Sequence, residues 1–194
     1  MAKKLLKERG YLVGVDEAGR GPLAGPVVAC AVVIKRETKA VKSLEFKDSK
    51  KMSEKKREAL CEAVEGIDEI EYSLAVVSEK VIDEVNIVGA TKAAMQEAIN
   101  KVKCPVRKVI IDGNFTVDGD ALQEAVVKAD TFIKECMLAS VIAKVKRDAI
   151  MRELHFLYPQ YGFDKHKGYG TKKHYEALRL HGITPAHRKS FRLL

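Results

Sequence analysis

The sequence predicts an α/β domain, a mixed sheet flanked by helices with a helical and basic C-terminal region. Three observations carry this. Apolar strand-like runs come first, at residues 11–17 and 25–34. Helical patterns then alternate with further apolar runs, which indicates an α/β layer structure. The last third carries helical patterns and a basic tail, expected as a lobe across one edge of the sheet.

Each element follows from its residues. Residues 11–17 and 25–34 read as buried strands joined by a glycine-rich turn. Residues 35–51 are polar and charged, a loop. SEKKREALCEAVEG, residues 53–66, reads as an amphipathic helix that Ser53 caps and Gly66 stops. Residues 70–77 are strand-like. Residues 78–86 and 87–103 read as two helical stretches, the second ended by Pro105. VRKVIID (106–112) and AVVKAD (125–130) read as strands. Residues 134–157 form a long helix whose first half, CMLASVIA, is apolar all round and so expected to be buried. An aromatic, glycine-bearing loop (159–170) and a last helix (171–180) precede a tail with His187, Arg188, Lys189 and Arg192.

Composition bounds the function. The chain has 194 residues, enough for one domain with a sizeable core. One domain is expected over 1–194, with residues from about 145 onward packed on it. No apolar run is long enough to span a membrane. MAKKLLKERG lacks a signal-peptide core, so secretion is not expected and the cytoplasm is. A net charge of +8 fits either plain solubility or a polyanionic partner such as nucleic acid. The four cysteines, at 30, 61, 104 and 136, show no metal-ligand spacing and read as buried free thiols.

Three acids, Asp16, Asp112 and Asp130, sit at the ends of apolar runs. Any one of them suits a turn or a cap. Three in one small sheet point to convergence on a rim. Carboxylates gathered there stay ionised together only with a cation. All-oxygen ligation favours Mg²⁺ or Mn²⁺ over zinc, and a pair of such ions suits phosphodiester hydrolysis. Glu17 follows Asp16 directly, and adjacent strand residues face opposite ways. It reaches the same site only if the strand ends or bends there. Histidines 166, 174 and 187 read as surface or phosphate-facing, without a catalytic role.

With these residues assembled, the chain resembles ribonuclease HII, the type 2 ribonuclease H family, over nearly its whole length. The motifs that carry the resemblance are VDEAGRGPLAGPVVA (15–29), DSKKMSEKKRE (48–58), IDEVNIVGATKAAM (82–95), IDGN (111–114), ASVIAKVKRD (139–148), HKGYGTKKH (166–174) and AHRKSF (186–191). The resemblance implies a ribonuclease H-like mixed sheet. It implies hydrolysis of the RNA strand in RNA–DNA hybrids and incision 5′ to single ribonucleotides in duplex DNA, leaving 3′-hydroxyl and 5′-phosphate ends. That is a DNA-repair task, carried out by a monomer.

The family's four catalytic and metal-binding acids fall on Asp16, Glu17, Asp112 and Asp130. Asp130 is placed by its spacing to Ser140, since the usual Gly-Asp reads Ala129-Asp130 here. Met137-Leu138 likewise stands where the family has Ala-Ala, which implies altered packing of the long helix. The resemblance makes Gly19, Arg20, Gly21 and Tyr169 the readers of the ribonucleotide–deoxyribonucleotide junction, and Ser49 and Lys50 phosphate contacts. A 2′-hydroxyl is what separates RNA from DNA at one position, and glycines let the backbone approach it. The basic residues 144–147 and the tail read as solvated faces or further phosphate contacts. The type 3 relative usually carries an extra N-terminal domain, for which 15 residues before Asp16 leave no room. A non-catalytic hybrid-binding module would lack the acids. A junction resolvase or integrase core would lack the Gly-Arg-Gly and Tyr169 arrangement.

Overall fold

In the computed structural model the described residues are 10–46 and 49–194, with the side chain of Lys50 also outside the description. Five strands form one sheet: β1 (Tyr11–Ala18), β2 (Val27–Ile34), β3 (Ile70–Val77), β4 (Val106–Asp112) and β5 (Leu122–Val126). Their order is β3-β2-β1-β4-β5. β2 runs antiparallel to β1 and to β3, whereas β1, β4 and β5 are parallel. The carboxyl ends of β1, β4 and β5 therefore share one rim, the edge where open α/β sheets place their sites.

The central strands are apolar on both faces, as layers on both sides require. Val13, Val15, Val27, Ala29, Val109 and Ile111 pack with helix α3 (Glu79–Asn100) on one face. Val28, Cys30 and Val32 pack on the other against α2 (Glu54–Glu65) and the long helix α4 (Lys134–Leu157). α4 buries Cys136 and every residue from 138 to 143, as its apolar first half predicts. It crosses β1 at Gly14, where an added Cβ would lie 2.5 Å from the main-chain nitrogen of Cys136. That close approach brings Ser140 down onto the rim.

Several boundaries differ from expectation. Residues 35–51 are not all loop: α1 (Lys39–Ser43) forms there on a Thr38 cap, and a 3₁₀ turn covers Ser49–Lys51. The two predicted stretches in 78–103 join as α3, broken internally at Asn86, which takes φ 61° and caps the amides of Val88 and Gly89 with its Oδ1. β5 ends at Val126. Asp130 therefore lies not at a strand end but in a following 3₁₀ turn, Ala129–Thr131, which Lys128 enters with φ 61°. The region 159–170 holds a 3₁₀ turn and α5 (Phe163–His166), and Thr171 caps α6 (Lys172–His181).

The C-terminal region packs on α4 and on the glycine-rich loop rather than along a sheet edge. Leu23, Ala24, Met151, Tyr161, Phe163, Leu178 and Ala186 form that contact. All four cysteines are free, but only Cys30 and Cys136 are buried; Cys61 and Cys104 are half-buried. No described helix is long and apolar enough to cross a membrane.

Candidate active site

Parallel register sets the acid cluster. Val15 pairs with Ile111, so the next residues along β1 and β4 are Asp16 and Asp112. The Ala129 amide donates to Asp112 Oδ1 at 3.0 Å, tying the 3₁₀ turn that carries Asp130 to the end of β4. One carboxylate oxygen from each of Asp16, Asp112 and Asp130 then lies within 4.8 Å of the others. Asp16 and Asp130 are buried and Asp112 is half-buried.

Charge makes this cluster unstable alone. Burial, then the nearby Glu17 and Asp112 carboxylates, hold the Asp16 carboxyl well above its usual range, against a hydrogen bond from Ser140. Burial pushes Glu17 up to about 7; Arg20 opposes that shift and Asp112 adds to it. Oxygen donors crowded at this distance match a hard divalent cation.

Glu17 stands apart from the three-acid cluster. Its carboxylate lies 3.6 Å from Arg20 and lines the cleft beside the cluster. The strand ends at Ala18, so Glu17 reaches the rim although it follows Asp16 on the opposite pleat. The cleft, about 290 Å³, is also lined by Gly19, Arg20, Gly21, Ser49, Asp112 and Tyr169. Asp130 belongs to the cluster but not to the cleft wall. Gly19 takes φ +104°, and a Cβ there would meet Arg147 at 2.2 Å, so the turn needs glycine. Tyr169 is 46% exposed, and its ring edge lies 3.5 Å from where a Gly21 Cβ would sit. The Arg20 guanidinium sits over the Phe115 ring. Of the two expected phosphate contacts, Ser49 lines the cleft, and the Lys50 side chain lies outside the described residues.

The cleft also holds Ser140 and Arg57, to which the sequence alone gives no role, and Lys144, which it reads as solvated or phosphate-facing. Ser140 bonds Asp16 and lies 2.8 Å from Ser49 Oγ. Arg57 and Lys144 share the buried Asp148, at 3.7 and 2.7 Å, which aims both cations at the cleft wall. The signal for Lys144 was its i,i+4 spacing to Asp148. Arg57 had no local signal, because its partner lies 91 positions away in the chain, roughly the distance only a fold supplies.

Two expectations are corrected. Arg147 and Arg188 are neither solvated nor phosphate-facing: both are buried and bond main-chain carbonyls of the glycine-rich loop. His174 and His187 are buried as well, Nε2 to Nε2 at 3.1 Å, because apolar Tyr161 and Phe163 pack around them.

Residues 13–194 match the model of the family described as ribonuclease HII. The chain belongs to the ribonuclease HII family. A ribonuclease HII of Clostridioides difficile is 47% identical over 186 residues, covering 95% of this chain and 71% of that protein. The Dechloromonas aromatica ribonuclease HII is 45% identical over 188 residues, covering 97% and 94%. The crystal structure of ribonuclease H2 from Pyrococcus horikoshii superposes with a TM-score of 0.78 at 26% identity, covering 94% of each chain. A ribonuclease HII from Archaeoglobus fulgidus, solved in complex with PCNA, superposes at 0.76 with 26% identity over 92% of each chain. A ribonuclease HIII solved with Mn²⁺ shares the fold, with a TM-score of 0.66 at 16% identity over 96% of this chain and 70% of that one. As a member of this family, the chain is an endoribonuclease, a hydrolase with ribonuclease H activity on RNA–DNA hybrids.

Proposed function

We propose that this enzyme depends on Mg²⁺ or Mn²⁺ and, besides cutting RNA in hybrids, incises duplex DNA 5′ to a single embedded ribonucleotide, leaving 3′-hydroxyl and 5′-phosphate ends. The observation that supports this most is the three-acid cluster within 4.8 Å, two of whose members, Asp16 and Asp112, line the same cleft as the Gly-Arg-Gly turn and Tyr169. In this reading Asp16, Asp112 and Asp130 hold divalent cations, with Glu17 completing the set. Such ions supply charge compensation, activation of water and stabilisation of the leaving oxygen. The Mn²⁺ complex of the ribonuclease HIII relative lends support.

The substrate contacts follow from chemistry. Residues 19–21 offer main-chain groups to the 2′-hydroxyl, and Arg20 forks onto a phosphate. Tyr169, exposed at the cleft mouth, lies flat on the neighbouring deoxyribose. Ser49 and Lys50 meet the flanking phosphates. We place this activity in ribonucleotide removal from DNA, by a monomer in the cytoplasm with residues 1–194 as one catalytic domain. The test is a DNA duplex carrying one ribonucleotide, incubated with Mg²⁺ or Mn²⁺ and mapped for products. Incision 5′ to the ribonucleotide is expected; an intact duplex under conditions that cut a hybrid refutes the proposal.

A further inference from the structure

Two halves of the proposed sugar-sensing surface lie far apart in the chain, the turn at residues 19–21 and Tyr169. A three-residue segment near the C-terminus touches the supports of both. Main-chain bonds lay residues 186–188 along residues 23–25: the Gly25 amide donates to the Ala186 carbonyl at 2.8 Å, and the Arg188 amide to the Leu23 carbonyl at 2.9 Å. Ala24 and His187 form the bridge between them.

Arg188 holds the turn. Its guanidinium donates to the carbonyls of Gly19 (2.6 Å), Arg20 (3.0 Å), Gly25 (2.9 Å) and Pro26 (3.2 Å). Arg147 backs it, donating to the carbonyls of Ala24, Pro26 and Lys167. Buried cations are costly unless fully bonded. Here inward-pointing carbonyls of the loop satisfy them, so the loop and the guanidiniums fix each other. A lysine offers a point charge in place of the planar fork.

His187 holds Tyr169 through His174. The Thr184 amide donates to His187 Nδ1 at 3.0 Å, which puts the His187 proton on Nε2. That N–H donates to His174 Nε2 at 3.1 Å, which puts the His174 proton on Nδ1. His174 Nδ1 then donates to the Tyr169 carbonyl at 2.9 Å. A single donor direction runs through two neutral imidazoles to the backbone of the exposed tyrosine. His166, stacked on His174, accepts from the Gly168 amide at 3.2 Å and so holds the backbone one residue before Tyr169.

We propose that residues 186–188 are a splint between the two sugar-sensing elements, with Arg188 and His187 as positioning residues that set the Gly-Arg-Gly turn and Tyr169 at one separation. The proposal rests on the reading of the turn and Tyr169 given under the proposed function. Substrate discrimination then depends on side chains that never touch nucleic acid. The acid cluster, carried by the ends of β1 and β4 and by the 3₁₀ turn bonded to Asp112, is independent of the splint.

The test compares kcat/KM on a one-ribonucleotide DNA duplex with that on an RNA–DNA hybrid, in Mg²⁺, for Arg188→Lys, His174→Gln and His174→Asn. An asparagine amide takes the place of Nδ1 and keeps a donor for Tyr169; a glutamine amide takes the place of Nε2 and loses it. Arg188→Lys and His174→Gln are expected to lower the one-ribonucleotide rate, and its ratio to the hybrid rate, by about tenfold or more, as a misplacement of about 1 Å does. His174→Asn is expected to keep that ratio within about threefold of wild type. An unchanged ratio in Arg188→Lys and His174→Gln, or an equal fall on both substrates, overturns the splint. If Arg188→Lys does not fold, the His174 pair decides alone. Tyr169→Ala and Gly21→Ala are run alongside. If these two leave the ratio unchanged, the sugar-sensing reading itself is wrong; if they lower it and the splint variants do not, only the splint is wrong.

Discussion

Replacing Asp112 by asparagine should abolish cleavage and at the same time stabilise the metal-free fold. Asp112, Asp16 and Asp130 bring carboxylate oxygens within 4.8 Å of one another. At an effective dielectric near 20, two full charges at that distance repel by about 3–4 kcal/mol. Part of this is relieved because Asp16 retains its proton to unusually high pH, chiefly through burial and then through Glu17 and Asp112. The net relief on neutralising Asp112 is therefore about 1–2 kcal/mol. The asparagine keeps an Oδ1 to accept from the Ala129 amide, so the 3₁₀ turn under Asp130 stays in place. For a chain of 194 residues, 1–2 kcal/mol corresponds to a rise of roughly 2–8 °C in Tm. The assay is thermal unfolding in EDTA and again with Mn²⁺, beside cleavage of the one-ribonucleotide duplex. Wild type should gain stability from Mn²⁺, and Asp112→Asn should gain much less while still binding the duplex. An Asp112→Asn protein that melts below wild type in EDTA, and gains as much from Mn²⁺, would refute the idea that these acids form a cation cage.

Gly21→Ala should fold normally, since its Cβ would sit at ordinary contact distance, 3.5 Å, from the Tyr169 ring. It should nonetheless impair one-ribonucleotide incision at least about tenfold, because the methyl occupies the space the sugar needs; an unchanged Tm with a wild-type rate contradicts this. Gly14→Ala should destabilise by about 3 kcal/mol or more, since overpacking here sets a Cβ 2.4–2.5 Å from Glu135 and the backbone of α4; urea unfolding measures it, and a loss under about 1 kcal/mol would mean that α4 shifts freely. His187 should titrate near 4, held down by burial first and then by His174. It is neutral in both states above about 6.5, but below that the unfolded chain takes up the proton first, so stability falls between about 6.5 and 4, by up to about 3 kcal/mol. Imidazole NMR shifts and urea midpoints across that range check it, and a His187 that titrates near 6.5 sinks it.

Legibility divided along physical lines. Strands 70–77 and 106–112 and helix 134–157 could be read to the residue, the strands because apolar runs mark them and the helix because Pro159 follows its end. The Asp16–Asp112 neighbourhood was legible as two acids closing apolar runs. Asp130 was misplaced onto a strand, since AVVKAD is apolar enough to read as one while the left-handed Lys128 that turns the chain leaves no local mark. The Asn86 break showed as a boundary between two stretches, but not as a kink in one helix. Arg147, Arg188, His174 and His187 were read as surface because charge and polarity usually are. Their partners are carbonyls and imidazoles remote in sequence, and burial that depends on such partners cannot be seen in a linear pattern.

The two kinds of residue also differ in what holds them. Asp16 and Asp112 are placed by strand register, which a one-residue slip would destroy along with the core, and the turn that carries Asp130 is tied to β4 through the Ala129 amide. Their geometry is therefore as stable as the sheet. The loop that carries the Gly-Arg-Gly turn is irregular backbone, with φ +104° at Gly19 and +80° at Gly25, and the carbonyls of Gly19 and Arg20 are held by the Arg188 side chain rather than by a strand. It needs donors from elsewhere, and buried guanidiniums supply several at once in a rigid plane. That accounts for two uncompensated-looking cations in the interior of a protein already carrying +8: they stand where a sheet would otherwise have supplied N–H groups. A loop held this way can lose its setting while the core stays folded, so discrimination should be lost at a lower denaturant concentration than hydrolysis of the hybrid. Measuring both activities through a urea titration below the unfolding midpoint would show it, and parallel loss of the two would mean that the loop and the sheet open as one unit.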